Sequence, residues 1–303
     1  MEITKKELQI FRAITFTNPE TISELAQTTS TSLSYTSTTL KKLEKKGFIT
    51  QRRKNREKKP QIADTLHAST LRTLILDTPH LNHDILANKG TTILTTIKCQ
   101  NIRTTEELLE ASGVSYRTLW SYMDTVRGMG VIQKNETITI TPRYEKITRF
   151  IEAYQQYIHQ IEATKIADDA LIKWGCRDTY IFETAKTLSL QPTGISAFKD
   201  YRALFLTPRN LYTNTQEKLR LEDHIINHVL AEGKQNTLPL LITWMLNKDD
   251  IDTEYLNKKA YRLKASTVTD AAQTYIQTKG KEKPEYLLNW TEFTEKLREY
   301  SNE

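Results

Sequence analysis

A pattern that returns after 83 positions, without a gap, constrains this chain more than anything else in it. Thr21-x-x-Glu24-Leu25, Ser32, Leu40, Leu43 and Gly47-Phe48-Ile49 are answered by Thr104-x-x-Glu107-Leu108, Ser115, Met123, Val126 and Gly130-Val131-Ile132. Each copy opens on a Thr-x-x-Glu capping box, whose side chains satisfy amides left orphan at a helix start. A polar turn follows, then a second helix capped by Ser32 or Ser115. That helix closes on Gly, the residue that takes left-handed backbone at least cost. An apolar pair then opens a strand.

Helix, turn, helix, Gly and strand make the layout of a winged helix-turn-helix, and the chain predicts two of them. The charge distribution separates the copies. Residues 1–60 hold 13 Lys/Arg against 6 Asp/Glu, a net of +7, and the remaining residues hold 30 against 31. The excess therefore sits in the first module, as a polyanion-binding surface requires. Over the aligned spans, Thr21–Lys58 is +6 and Thr104–Thr141 is −2. Phosphate attraction dominates DNA affinity, so the second module reads as a protein-contact or spacing element.

Periodicity and breakers give the rest of the organisation. The expected fold is mainly α with small β wings: two winged helix-turn-helix domains, a long connecting helix, and a helix-rich α/β C-terminal domain. The boundaries are 1–66 for the DNA-binding winged helix, 67–83 for a linking helix and loop, 84–142 for the second winged helix, 143–165 for the long helix, and 166–303 for the C-terminal domain. In the first module, helices are predicted over 5–17, 21–27 and 33–46. Strands are predicted over 48–53 and 60–64, with the tip Lys54–Lys59 between them. Tyr144, Ile147, Ile151, Tyr154, Ile158 and Ile161 follow at spacings of 3 and 4, an a/d seam over nearly three heptads. Two readings of that seam stay open: a coiled-coil homodimer through Ile147, Ile151, Tyr154, Ile158 and Ile161, or packing on the chain's own domains. Beyond 166, short β-like runs are read at 179–182 and 203–207. Helices are read at 219–231, 238–246, 253–263, 268–278 and 284–300.

The two cysteines, Cys99 and Cys176, are too few and too far apart for a disulfide framework or zinc site, which fits a reducing compartment. The N-terminus MEITKKELQIFR has no apolar stretch of the secretory kind, and no run approaches the roughly 20 apolar residues of a membrane span. The expectation is a cytoplasmic protein with no membrane partner.

In a winged helix the third helix enters the major groove. With Thr36, Leu40 and Leu43 turned inward, its outward face carries Ser34, Tyr35, Ser37, Thr38, Lys41, Lys42 and Lys45. Hydroxyls serve bases and phosphates alike, and lysines neutralise phosphate. Asn, Gln and Arg, the usual bidentate base readers, are absent from this face, so direct readout is expected to be modest. The wing supplies Arg52, Arg53, Lys54, Arg56, Lys58 and Lys59. A solvated hairpin tip is the bland reading of such a run, but its place beside a Lys-rich helix favours double-stranded DNA as the partner. The aligned face of the second module holds Arg117, Trp120 and Ser121.

Catalytic signals are weak. His224 and His228 lie one helical turn apart, but Ile225 stands where a zincin helix needs Glu, and no third ligand is identifiable. Asp250-Ile251-Asp252 reads as a helix start rather than a metal-binding carboxylate pair, and no phosphate-binding Gly-rich loop is present. No enzyme activity, metal or cofactor is expected.

Three resemblances complete the reading. Ser32–Arg53, SLSYTSTTLKKLEKKGFITQRR, is similar to the recognition helix and wing of regulators of the multiple-antibiotic-resistance and arsenical-resistance types, in which Leu-Glu-x-x-Gly-aliphatic-Ile leads into a basic wing. The full arrangement resembles a group of archaeal helix-turn-helix transcriptional regulators. The expectation overall is a homodimeric double-stranded DNA-binding regulator whose residues 166–303 serve a small-molecule effector or a protein partner, with a protein-docking winged-helix scaffold as an alternative. Thr193-Gly194-Ile195-Ser196-Ala197 and Leu221–Leu230 resemble the C-terminal domain of AbiEi-type antitoxins, which implies an autorepressor that counters a toxin.

Overall fold

The computed structural model describes residues 2–54 and 57–301. It is mainly helical, at 57% helix, with small antiparallel sheets. The chain divides into two compact units, Met1–Lys98 with Ile102–Ile158, and Cys99–Asn101 with His159–Glu303.

The first unit opens with α1 (Lys5–Thr17), α2 (Ile22–Thr28) and α3 (Leu33–Lys45), followed by a hairpin of β1 (Ile49–Lys54) and β2 (Glu57–Ile62). After α4 (Leu66–Asp77) the same order returns as α5 (Lys89–Cys99), α6 (Thr105–Ser112), α7 (Tyr116–Gly128), β3 (Ile132–Lys134) and β4 (Ile138–Ile140). Correspondence between the copies reaches single hydrogen bonds. Glu24 N donates to Thr21 Oγ1 and Glu107 N to Thr104 Oγ1, each at 3.1 Å. Tyr35 N donates to Ser32 Oγ and Thr118 N to Ser115 Oγ, each at 3.3 Å. Gly47 and Gly130 both take positive φ, +70° and +66°. After each hairpin a threonine hydroxyl ties back to that glycine's carbonyl, Thr65 to Gly47 and Thr141 to Gly130, both at 2.8 Å.

Two details depart from the sequence reading. The return half of each capping box goes one residue further back: Glu24 accepts from Glu20 N at 2.8 Å and Glu107 from Arg103 N at 2.7 Å. A reciprocal box occurs instead at Thr4 and Glu7, ahead of α1. The hairpin strands also reach further towards the expected tip, because Arg53 and Lys54 stay in register with Lys58 and Glu57. Of the expected tip at 54–59, residues 55 and 56 lie outside the described residues.

One apolar core runs through the whole first unit, from Ile3 to Tyr154. Phe48, fully buried, gathers Phe11, His67 and Tyr154 at ring-centroid distances of 5.7, 4.6 and 5.2 Å. The long helix α8 (Glu145–Ile166) is continuous, with residues 145–158 in this unit. Of the two readings of the seam, packing within the chain accounts for its first half: Ile147, Ile151 and Tyr154 are at most 1% exposed within the chain's own core, and Ile158, half-buried, packs against the same cluster. Ile161 is half-buried in the second unit.

The second unit holds a three-stranded sheet in the order β5 (Leu171–Cys176), β6 (Thr179–Thr184), β7 (Asn210–Thr213), all antiparallel. Helices α9 (Leu221–Glu232), α10 (Leu238–Leu246), α11 (Thr253–Arg262), α12 (Ser266–Gln277) and α13 (Trp290–Ser301) complete it. The run 203–207 is no strand. Ala203 is buried, but Leu204 and Leu206 point to solvent, and the alternation finds no ladder partner before Pro208. The helix expected from 284 begins at 290, where Glu292 accepts from Asn289 N at 3.3 Å. Among the described residues no helix is long and apolar enough to cross a membrane.

Candidate nucleic-acid interface

The turn between α2 and α3 is built from hydroxyls. Thr29 Oγ1 donates to Leu25 O at 2.8 Å, and its oxygen lies 2.8 Å from Thr31 Oγ1, which lies 2.8 Å from Thr36 Oγ1. Thr36 is fully buried. This Thr-rich segment therefore works as an internal lock that sets α3 against α2. Thr36, Thr39, Leu40 and Leu43 form the buried stripe of α3, so the opposite face is open by helical geometry.

On that face Ser34, Tyr35, Thr38, Lys41, Lys42 and Lys45 are exposed and Ser37 is half-buried. Their hydroxyls are not equivalent. Thr38 Oγ1 donates to Ser34 O at 3.0 Å, so its proton is used within the helix and only its lone pairs face outward. Among the described residues the hydroxyls of Ser37 and Tyr35 have no hydrogen-bond partner, and that of Ser34 has none either. Lys41, Lys42 and Lys45 likewise have no carboxylate partner among the described residues. Lys46 does: it bonds both oxygens of buried Glu7 at 2.7 Å and Glu2 O at 2.6 Å, which anchors the C-terminal end of α3 to the start of α1.

The hairpin carries the remaining sequence-predicted residues. Its register sets Arg52 opposite Lys59 and Arg53 opposite Lys58. Like charges directly opposite one another destabilise a strand pair. Lys59 is relieved by an ion pair with Glu20, which turns it from the freely exposed cation expected into an internal tether. Arg52 and Lys58 are exposed and have no carboxylate partner among the described residues. Arg56, and the side chains of Arg53 and Lys54, lie outside the described residues. Five cations, Lys41, Lys42 and Lys45 on α3 and Arg52 and Lys58 on the hairpin, are thus exposed without a carboxylate partner among the described residues, and the register puts Arg52 and Lys58 on opposite faces of the hairpin.

In the second module the positions aligned with the three α3 lysines are Asp124, Thr125 and Gly128. Part of the outward face of α7 also fronts on the chain itself. Tyr122 Oη donates to Ile85 O at 3.0 Å. Thr118, Ser121 and Thr125 line an open cleft of about 390 Å³ with the segment from Asn82 to Gly90. Arg117 and Ser121 are exposed, and Trp120 is half-buried against Tyr116, with ring centroids 5.7 Å apart.

The residues considered for catalysis serve the fold of the second unit. His224 and His228 are buried, with one ring nitrogen of each held by Thr193 Oγ1 at 3.3 Å and Asn236 O at 2.6 Å. Burial lowers both pKa values, that of His224 to about 4. Asp252 caps α11, accepting from Tyr255 N at 3.0 Å. The Thr193–Ala197 segment joins β7 to α9: Ser196 Oγ accepts from Leu211 N at 2.8 Å, and Asn227 donates to Thr193 Oγ1 at 2.8 Å. Beside these, a cavity of about 300 Å³ is lined by Trp174, Cys176, Asp223, Asn227, Lys259 and Leu263 among others. Burial alone would raise the pKa of Asp223. Lys259 Nζ at 2.6 Å, Arg220 N at 2.9 Å and Tyr255 Oη at 2.8 Å together hold it below the usual carboxylate value.

Compared with known proteins, the chain is similar over residues 2–65 to the HVO_A0114 family. That span contains α1 to α3 and the first hairpin. No curated protein and no solved structure matches the chain.

Proposed function

We propose that the first module is a winged helix-turn-helix that binds double-stranded DNA, with α3 in the major groove and the β1–β2 hairpin along the backbone, and that the chain acts as a transcriptional regulator. The observation that carries the reading is the group of three lysines, Lys41, Lys42 and Lys45, exposed on α3, with Arg52 and Lys58 exposed on the two faces of the adjoining hairpin, none of them with a carboxylate partner among the described residues. Cations concentrated in this way repel one another, and a polyanion is the ligand that removes the repulsion. Support also comes from the register-opposed basic residues of the hairpin and from the hydroxyls of Ser34 and Ser37, free to meet base edges.

The second module is proposed as a structural or protein-docking partner of the first. It lacks the lysines, and the 82–90 segment borders its outward face. The C-terminal unit is proposed to receive an effector or a protein partner, and the cavity beside Asp223 and Lys259 is the place for a small molecule.

Base-resolution footprinting on a sequence selected from a random pool tests the division of labour. Replacing Ser34, Ser37 and Lys41 by Ala is expected to reduce discrimination between selected and random DNA, at about 1–3 kcal/mol for each base-edge interaction removed. Replacing Arg117 and Ser121 should leave affinity nearly intact. Equal protection of bases by both modules would show that the second also reads DNA.

A further inference from the structure

The outward face of α3 is not wholly polar. Leu33 is 54% exposed and Tyr35 44% exposed, at the first turn of a helix whose other large apolar residues, Leu40 and Leu43, are fully buried. At about 100° per residue, Leu33 and Tyr35 lie either side of Ser34: Leu33 falls beside Leu40 at one edge of the buried stripe and Tyr35 beside Thr39 at the other, yet in the first turn both remain exposed. The first turn therefore offers an apolar side chain, a hydroxyl and an aromatic ring, with Lys41, Lys42 and Lys45 further along the same helix.

The lysines determine what can cover these apolar groups. A face that gathers unpaired cations favours a polyanion over an apolar protein surface. Within duplex DNA, the major-groove edges of the four bases present hydrogen-bond donors and acceptors, and one apolar group, the C5-methyl of thymine. Arg, Asn and Gln, which read guanine or adenine by bidentate bonds, are absent from α3, and the lysines, which can also bond guanine, begin only at Lys41, beyond the first turn. Beside the Ser34 hydroxyl, the chemistry left to the first turn is apolar contact.

We infer that Leu33 and Tyr35 read thymine methyl groups, so that the site bound by α3 is specified by thymines within reach of its first turn. This rests on the DNA-binding reading above and names what that site recognises. Ser34, between the two, is free to bond a neighbouring base edge, while the lysines hold the helix on the phosphates without regard to sequence.

Removing the methyl groups tests the inference without knowledge of the natural target. The full chain is titrated with an alternating dA–dT duplex and with the matching dA–dU duplex, which differs only at C5. Burying one methyl contributes ~0.8 kcal/mol, so dA–dT should bind roughly fourfold tighter for one methyl covered and about fifteenfold tighter for two. A Leu33→Ser, Tyr35→Ser variant should bind both duplexes alike, with its salt dependence unchanged because the lysines remain. Both positions are exposed, and circular dichroism checks that the variant is folded. Equal binding of the two duplexes by the unaltered chain would overturn the inference and leave DNA binding standing. A preference that persists in the double variant would also overturn it, since the methyl would then act through duplex shape. Failure of the unaltered chain to bind any duplex in a salt-dependent way would remove the DNA reading itself.

Discussion

Gly47 and Gly130 hold the same place in the two repeats, yet they should respond differently to one added methyl group. Both take positive φ, where an L side chain costs about 1–2 kcal/mol. A Cβ at Gly130 meets nothing within 4 Å, whereas one at Gly47 overlaps the Tyr157 hydroxyl and crowds the His67 ring. Chemical denaturation should show Gly130→Ala losing about 1–2 kcal/mol and Gly47→Ala roughly 1–3 kcal/mol more, from overpacking. Adding Tyr157→Phe should return part of the second loss and none of the first. Equal losses would mean that α8 does not press on the end of α3. Histidine sets the acid limit of the same unit. His67 and His83 are buried, and burial lowers each pKa from 6.5 to about 4. The unfolded chain takes up these protons first, so the stability tied to neutral imidazole is complete above pH 6.5 and is lost as pH falls from 6.5 towards 4. The loss is on the order of 1–3 kcal/mol for each residue. His67→Phe should flatten the fall in melting temperature over that window, and an unchanged pH profile would show that His67 is not neutral in the folded chain.

At the scale of elements, α8 is where pattern and packing part company. Its 3,4-spaced seam is compatible with a partner helix or with the chain's own core, since both ask for apolar residues at the same spacing. The core takes Ile147, Ile151 and Tyr154. Ile151→Ala is therefore expected to cost about 2–5 kcal/mol through the cavity it leaves, with a melting temperature independent of protein concentration. A concentration-dependent midpoint that the substitution abolishes would restore the coiled coil. The first unit was legible because its signals are local: α1 runs over the expected residues, and each repeat carries its cap and its closing glycine. The second unit was less so. Strand β5 is interrupted by a register shift between Ile172 and Trp174, which breaks the alternation that would reveal it. The run 203–207 alternates but lacks a neighbouring strand, and strand pairing is set by tertiary context. In the candidate interface, the lysines and hydroxyls could be placed from periodicity. The Lys59–Glu20 pair and the exposure of Leu33 depend on packing between elements distant in sequence, which periodicity does not report.

The whole molecule is organised by charge. Residues 1–60 carry a net of +7 while the rest of the chain is close to neutral, so duplex DNA should be held by the first module alone, through phosphate neutralisation. Equilibrium binding of the full chain to duplex DNA over a range of salt concentrations tests this most directly. Compared with it is a variant carrying Lys41→Ala, Lys42→Ala, Lys45→Ala, Arg52→Ala and Lys58→Ala, all exposed positions. Five phosphate contacts correspond to a slope of log affinity against log salt of about −4 to −5. The unaltered chain should show a slope at least that steep, and the variant should bind more weakly at low salt with a slope moved towards zero. A variant that keeps both the affinity and the slope of the unaltered chain would contradict the placement of DNA on the first module.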